Sequence, residues 1–163
     1  MAQLESDREE LMAEATALVP RVEWMDDSGQ RVVAGLFRDG RLAVYFEADP
    51  VYQFDSSGRL RRAFACGRLY RTQGETLAEL TRQRGNRSTQ LNRRDLNHKE
   101  TTEFLQDAVS RLNRLHERIS EAMSPHRVVA EDESDADAVE LLRGRIRQAA
   151  ETSALAPRIR GKR

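Results

Sequence analysis

The sequence predicts an α+β fold in which a curved antiparallel β-meander of about six to eight short strands packs against one long C-terminal helix. Between residues 31 and 94, short runs alternate apolar and polar side chains, and glycine-bearing turns separate the runs. Residues 98–123 instead repeat apolar side chains at spacings of three and four, which is typical of a helix. Because no helical pattern interrupts the short runs, we expect sequential hairpins in one sheet.

An acidic amphipathic helix is predicted in front of this sheet, over Asp7–Val19. Ser6 suits the N-cap position, and Glu9 completes a capping box three residues later. Pro20 ends the helical pattern. The apolar stripe of this helix consists of Leu4, Leu11, Ala15 and Leu18.

The strands begin with a weak one at Arg21–Met25. Arg31–Phe37 is apolar on both faces, so we expect this strand to be central and covered on both sides. Asp39-Gly40 then predicts a tight hairpin. The remaining predicted strands are 42–47, 51–55, 60–66, 69–71, 76–82 and, most weakly, 88–94.

One turn segment has a recognisable pattern. Residues 54–60, Phe-Asp-Ser-Ser-Gly-Arg-Leu, resemble one copy of the tyrosine/aspartate repeat of large bacterial wrapping toxins. No second copy follows at a fixed period, so the sequence does not predict a repeat protein.

The long helix is predicted over His98–Met123, with Asn97 as N-cap and Glu100 at the capping-box position. Its apolar stripe is broad, which favours packing on a sheet over a homodimeric coiled-coil seam, the alternative that stays open. Beyond it we expect an acidic linker, a short helix around residues 139–149 and a basic, disordered tail. The predicted segments are therefore 1–20, 21–124 and 125–163.

Composition argues against several classes of protein. No apolar run approaches the length of a membrane span, and the acidic N-terminus lacks the apolar stretch of a secretory signal. The single cysteine, Cys66, cannot form an internal disulfide, and the three histidines lack zinc-site spacing. We therefore expect a cytoplasmic protein with no metal, no cofactor and no catalytic residues, and we lean away from an enzyme.

Charge is unevenly distributed, although the formal net charge is zero. Residues 1–27 carry eight acidic and two basic side chains, whereas residues 59–94 carry ten arginines against two glutamates. The basic segment predicts a binding patch on one part of the sheet. Its members are Arg59, Arg61, Arg71, Arg82, Arg84, Arg87, Arg93 and Arg94. Three rings, Tyr52, Phe54 and Tyr70, are close enough in sequence to interleave with them and stack on bases.

Three functions follow from these features. We expect a non-enzymatic binding or adaptor domain that recognises a protein partner through a sheet edge or through the arginine-rich face. The first alternative is RNA or single-stranded DNA binding by the same arginines. The second is a small-ligand pocket between the sheet and the long helix. We expect no membrane partner, and either a monomer or a weak homodimer through helix 98–123.

Overall fold

Nine antiparallel strands form one open sheet, with two helices packed on one of its faces. The computed structural model describes residues 13–25, 29–47, 50–84, 89–120, 127–132 and 134–161, with the backbone alone at 82–84, 89–91, 120 and 155–161. The strands are β1 (Arg21–Met25), β2 (Arg31–Leu36), β3 (Leu42–Phe46), β4 (Val51–Phe54), β5 (Leu60–Ala65), β6 (Arg68–Gln73), β7 (Thr76–Arg84), β8 (Thr89–Asp95) and β9 (Arg127–Val129). The helices are α1 (His98–Ser120) and α2 (Asp135–Gly161).

The strand order is β8-β7-β6-β5-β4-β3-β2-β1-β9. The first eight strands therefore pair with their neighbours in sequence, as the hairpin signals predicted, and the α+β class with an antiparallel sheet is confirmed. β9 returns after α1 and pairs with β1, with Val22 opposite Val128. β9 is only three residues long, and the sequence beside it has no hairpin signal.

The prediction that one long helix covers the sheet is not confirmed. The short helix expected around residues 139–149 is α2, a second long helix that packs in the main core. Leu142, Ile146 and Ala149 are fully buried there. At the start of α2, the backbone N–H of Asp137 donates to the Ser134 hydroxyl at 3.2 Å, which is an N-cap contact. The division of the chain into three segments stays a prediction.

The helix-covered face of the sheet holds the main core. Its sheet residues include Val22, Trp24, Val32, Ala34, Leu36, Leu42, Val44, Tyr52, Phe54, Leu60 and Leu77, and its helix residues include Leu105, Ala108, Leu112, Leu115, Ile119, Leu142 and Ile146. No helix in the described part of the chain is both long and apolar enough to cross a membrane.

The opposite face, called here the open face, carries a smaller apolar cluster. Its buried members are Ala15, Leu18, Val33, Ala43, Tyr45, Val51 and Phe64. Residues 13–20 cover part of this cluster, and the guanidinium of Arg21 holds them by donating to the carbonyls of Thr16 at 2.9 Å and Leu18 at 3.2 Å. Strands on the β6–β8 side of the sheet have no such cover among the described residues.

The predicted N-terminal helix is not confirmed. Residues 1–12 lie outside the described residues, and the described part holds only the helical residues Ala13 and Glu14 and a short 3-10 turn at Ala15–Ala17. The next residues are extended, because the N–H of Val19 donates to the Leu36 carbonyl and the N–H of Leu36 donates to the Pro20 carbonyl. Pairing with the end of β2 therefore replaces helical hydrogen bonds at this point.

Candidate binding surfaces

The predicted basic patch does not form one surface, because several of its arginines contact groups within the chain. Arg61 donates through Nε to the Asp55 carboxylate at 2.9 Å, and Arg59 donates to the carbonyl of Gly74. Burial opposes the ionisation of Asp55, but hydrogen bonds from Ser57, Arg59 and Arg61 outweigh it and lower the pKa of that carboxyl. These two arginines therefore stabilise turns.

Arg93 and Arg94 lie on opposite faces of β8. Arg94 pairs with Glu79 on β7 at 2.7 Å and with Glu100 at the start of α1 at 2.8 Å. Arg93 lies on the open face opposite Leu80, where Asp95 accepts from it at 3.0 Å and Gln73 also accepts. Alternation along a strand sends neighbouring side chains to opposite faces, so the two cannot act in one patch.

Arg71 is exposed on the open face, where its cross-strand neighbours are Arg62 on β5 and Ala78 on β7. Arg82 and Arg84 belong to β7, but the structure describes only their backbone atoms. Arg87 lies outside the described residues. Of the eight predicted arginines, Arg71 is the one whose side chain is described and for which no hydrogen bond or ion pair is found within the described part of the chain.

The aromatic rings that were predicted to stack on bases pack against other residues of the protein. Tyr52 is 1% exposed and Phe54 is 0% exposed, and both belong to the main core. Tyr70 is half-buried and packs against Phe104 of α1, with ring centroids 4.4 Å apart. This corrects the interpretation that these rings interleave with arginines on an accessible surface, because their side of the sheet is the one covered by α1.

A buried carboxylate, Glu79, was not singled out from the sequence. It is 5% exposed and bridges Arg68 at 2.9 Å and Arg94 at 2.7 Å. Burial raises the pKa of the neighbouring Tyr70 hydroxyl, and the Glu79 charge raises it further. Because each Glu79 oxygen has an arginine partner, this cluster ties β6, β7 and β8 together.

The outer edge of β8 is the clearest unpaired backbone in the described structure. The N–H of Leu96 donates to the carbonyl of Leu77 at 2.8 Å, which makes these two a hydrogen-bonded pair. Hydrogen-bonded and non-hydrogen-bonded pairs alternate in an antiparallel ladder. The backbone of Glu79 is therefore hydrogen-bonded to that of Arg94, and the backbone of Thr81 to that of Asn92. The backbone groups that face away from β7 therefore belong to Thr89, Leu91, Arg93 and Asp95.

A second polar cluster lies on the open face and includes Glu14, near the start of the covering segment 13–20. The amide of Gln53 donates to the Glu14 carboxylate at 2.9 Å, and Arg62 Nη2 approaches the same oxygen at 3.4 Å. Arg62 Nε also donates to the Gln53 carbonyl oxygen at 3.1 Å. Burial raises the pKa of nearby Tyr45 to about 12, so its hydroxyl stays neutral at ordinary pH.

The described residues give little support for a small-molecule pocket or a metal site. A recess on the open face lined by Val51, Gln53, Arg62, Phe64 and Leu69 holds about 140 Å³ including its open mouth. That is below the roughly 300 Å³ at which small-molecule pockets begin. Among the described residues, no group of three or more His, Cys, Asp or Glu side chains could hold a metal ion. Cys66 is exposed in the turn between β5 and β6.

Comparison of the chain with protein-family models, with curated proteins and with solved structures found no match.

Proposed function

We propose that this chain is a non-enzymatic binding domain that recognises a protein partner by adding an extended segment of that partner to β8. The observation that carries the proposal is the outer edge of β8, where the backbone groups of four residues face away from β7. Addition of a strand to an exposed edge is a recurring mode of peptide recognition, in which main-chain hydrogen bonds give affinity.

β8 is better suited to this role than the other end of the sheet. β8 has seven residues, whereas β9, at the opposite end, has three. A longer edge offers more main-chain donors and acceptors to a partner. Arg94 also anchors β8 to β7 and α1 through its two ion pairs, so the edge is held in place before a partner arrives. Preorganisation of this kind lowers the ordering cost of binding.

The charge of the edge indicates the chemistry of the partner. Arg93 and Arg94 are consecutive in β8, and both side chains are exposed by about half, at 50% and 54%. Like charges opposite each other across strands are destabilising, and opposite charges are favourable. A second copy would add its own Arg93 and Arg94, one on each face of the seam, so the edge favours a partner segment with acidic or neutral residues over self-pairing.

Single-stranded nucleic acid is the second candidate, supported by the exposed Arg71 and the surplus of arginines in residues 59–94. Burial of Tyr52 and Phe54 removes the stacking platform on which such binders depend. The pocket hypothesis has less support still, since Tyr52, Phe104 and Leu112 pack together in the core between sheet and helix.

The test is selection of binding peptides from a random decapeptide display library by the full chain, followed by assay against two variants. Arg93→Pro removes an outward-facing N–H without removing a ladder bond to β7, as proline does on edge strands. Arg93→Ala keeps that N–H and removes only the charge. We expect selected peptides to lose about tenfold or more in affinity with Arg93→Pro and much less with Arg93→Ala.

Peptides that bind Arg93→Pro as tightly as the unaltered chain would contradict strand addition at β8. Circular dichroism of each variant provides the control for folding. A parallel titration of a fluorescent single-stranded oligonucleotide at about 50 and 200 mM salt tests the second candidate, because several phosphate contacts would weaken binding at least tenfold between the two.

A further inference from the structure

The open face carries a polar row that crosses three neighbouring strands. Gln53 on β4 is opposite Arg62 on β5, and Arg62 is opposite Arg71 on β6. Two arginines in direct cross-strand register repel each other unless an anion lies between or above them. Such a pair on a solvent-facing part of a sheet is therefore a candidate for binding carboxylates, which match the planar donors of arginine.

One carboxylate from the chain itself already occupies part of this row. Glu14 accepts from the Gln53 amide at 2.9 Å and lies 3.4 Å from Arg62 Nη2. Gln53 is 3% exposed, so its amide is fixed by the sheet, and Arg62 Nε holds the Gln53 carbonyl oxygen. The site thus has a rigid buried donor beside a guanidinium that has further N–H groups to offer.

Arg71 completes the row on its exposed side. It is exposed, and within the described part of the chain it has no carboxylate at ion-pair distance. Glu14 is held weakly by comparison with a buried ion pair, since its side chain is 39% exposed and the contact to Arg62 is long. A carboxylate from outside can therefore contact Arg71 and compete with Glu14 for Arg62 and Gln53.

We propose that Gln53, Arg62 and Arg71 form a carboxylate-recognition site that Glu14 partly fills in the free protein. Its ligand is an acidic segment of the protein partner, and in naming a protein partner the proposal rests on the proposed function. Binding of the partner displaces Glu14, so the covering segment 13–20 regulates access to the open face.

The probe is a fluorescein-labelled N-acetyl-hexaglutamate peptide, titrated at low salt against the full chain, with hexaglutamine as the uncharged control peptide. Arg71→Gln removes the exposed guanidinium, and Arg114→Gln removes the same charge from the exposed side of α1. Glu14→Gln removes the competing carboxylate, and Glu103→Gln makes the same charge change on α1. All four variants are made in the full chain at exposed or half-exposed positions, and circular dichroism of each variant checks that it folds.

We expect Arg71→Gln to weaken hexaglutamate binding about fivefold and Arg114→Gln to leave it within a factor of two. Glu14→Gln should strengthen binding about threefold or more, whereas Glu103→Gln should not. The proposal is overturned if the peptide fails to bind, if both arginine variants weaken binding equally, or if Glu14→Gln leaves it unchanged or weaker. It is also overturned if a short oligothymidylate, and not the glutamate peptide, shows this dependence.

Failure of this site and failure of the proposed function are distinguishable. Display peptides that lose affinity with Arg93→Pro but not with Arg71→Gln would retain strand addition at β8 and reject the carboxylate site. The reverse pattern would reject strand addition and retain the site.

Discussion

Gly35 in β2 is the position where the smallest change should have a large effect on stability. A Cβ atom there would lie 2.7 Å from the Cβ of Leu18 and 2.8 Å from the carbonyl oxygen of Pro20. Both atoms belong to, or are attached directly to, the backbone of the covering segment 13–20, so neither can move by a rotamer change. Gly35→Ala must therefore push this segment away from the sheet or strain β2.

The magnitude follows from either outcome. Overpacking a well-filled site typically costs about 1–3 kcal/mol. If the segment instead moves away, Leu18, which is 0% exposed, loses its burial, and that costs about 1.5–3 kcal/mol. We therefore expect Gly35→Ala to lower the free energy of unfolding by about 2–3 kcal/mol, which corresponds to a fall in Tm of roughly 5–10 °C for a chain of this size.

The assay is urea unfolding followed by the fluorescence of Trp24, the single tryptophan, which is 3% exposed in the core. Gly144→Ala in α2 is the matched control, because a Cβ at Gly144 meets nothing within 4 Å. Alanine favours helices, so this control should be stabilised by about 0.5–1 kcal/mol. A loss below about 1 kcal/mol for Gly35→Ala, with an unchanged dependence on urea, would refute the packing of segment 13–20 described here.

Three further changes test other parts of the fold. Gly58→Ala combines a φ of +90° with a Cβ 3.1 Å from the carbonyl oxygen of Gln148 in α2, so it should destabilise by about 2 kcal/mol or more in the same urea assay. Leu142→Ala should cost about 2–5 kcal/mol by thermal unfolding, since Leu142 is fully buried, and a negligible effect would contradict the place of α2 in the core. Glu100→Gln tests pH dependence, because the hydrogen bond from Arg94 lowers the pKa of Glu100 from its ordinary value of 4.5. The stabilisation that the ionised Glu100 gives the folded chain is fully present above about pH 4.5 and is lost as the pH falls through the lower folded-state pKa. The difference in stability between Glu100→Gln and the unaltered chain should therefore shrink in acid. A difference that stays constant down to pH 2 would contradict this ion pair.

Local signals in the sequence predicted much of the fold. Asp39-Gly40 forms the expected hairpin turn, where the N–H of Gly40 donates to the Phe37 carbonyl at 2.9 Å. The capping box of α1 is also present, because the Glu100 N–H donates to the Asn97 side chain at 2.8 Å and the Asn97 N–H donates back at 3.2 Å. These features depend on residues three or four apart, so the sequence alone specifies them.

Features that depend on distant residues could not be predicted in the same way. The contact between Glu14 and Arg62 spans 48 residues, and nothing near either residue signals it. Closeness in sequence to the arginines predicted that Tyr52 and Phe54 stack on an accessible face, but strand alternation alone does not say which face of the sheet the helices cover. A register shift between Gln53 and Phe54 also moves the residues of β5 relative to a regular meander.

The arginines illustrate the same limit of sequence patterns. Their number in residues 59–94 indicated a single patch, but strand alternation sends Arg93 and Arg94 to opposite faces, and Asp55, Glu79 and Glu100 neutralise several of them. A count of charges does not include the carboxylates that tertiary structure brings to them.

Residue-resolved amide hydrogen exchange on β8 tests the central claim most directly, since it requires no partner. The N–H groups of Gln90, Asn92 and Arg94 bond to β7 and should be protected, whereas those of Leu91, Arg93 and Asp95 should exchange at rates close to those of an unstructured peptide. This alternation would show that the outer edge of β8 is open to an added strand. Equal protection of both sets, at every protein concentration measured, would show that the edge is already paired and would contradict the proposed binding mode.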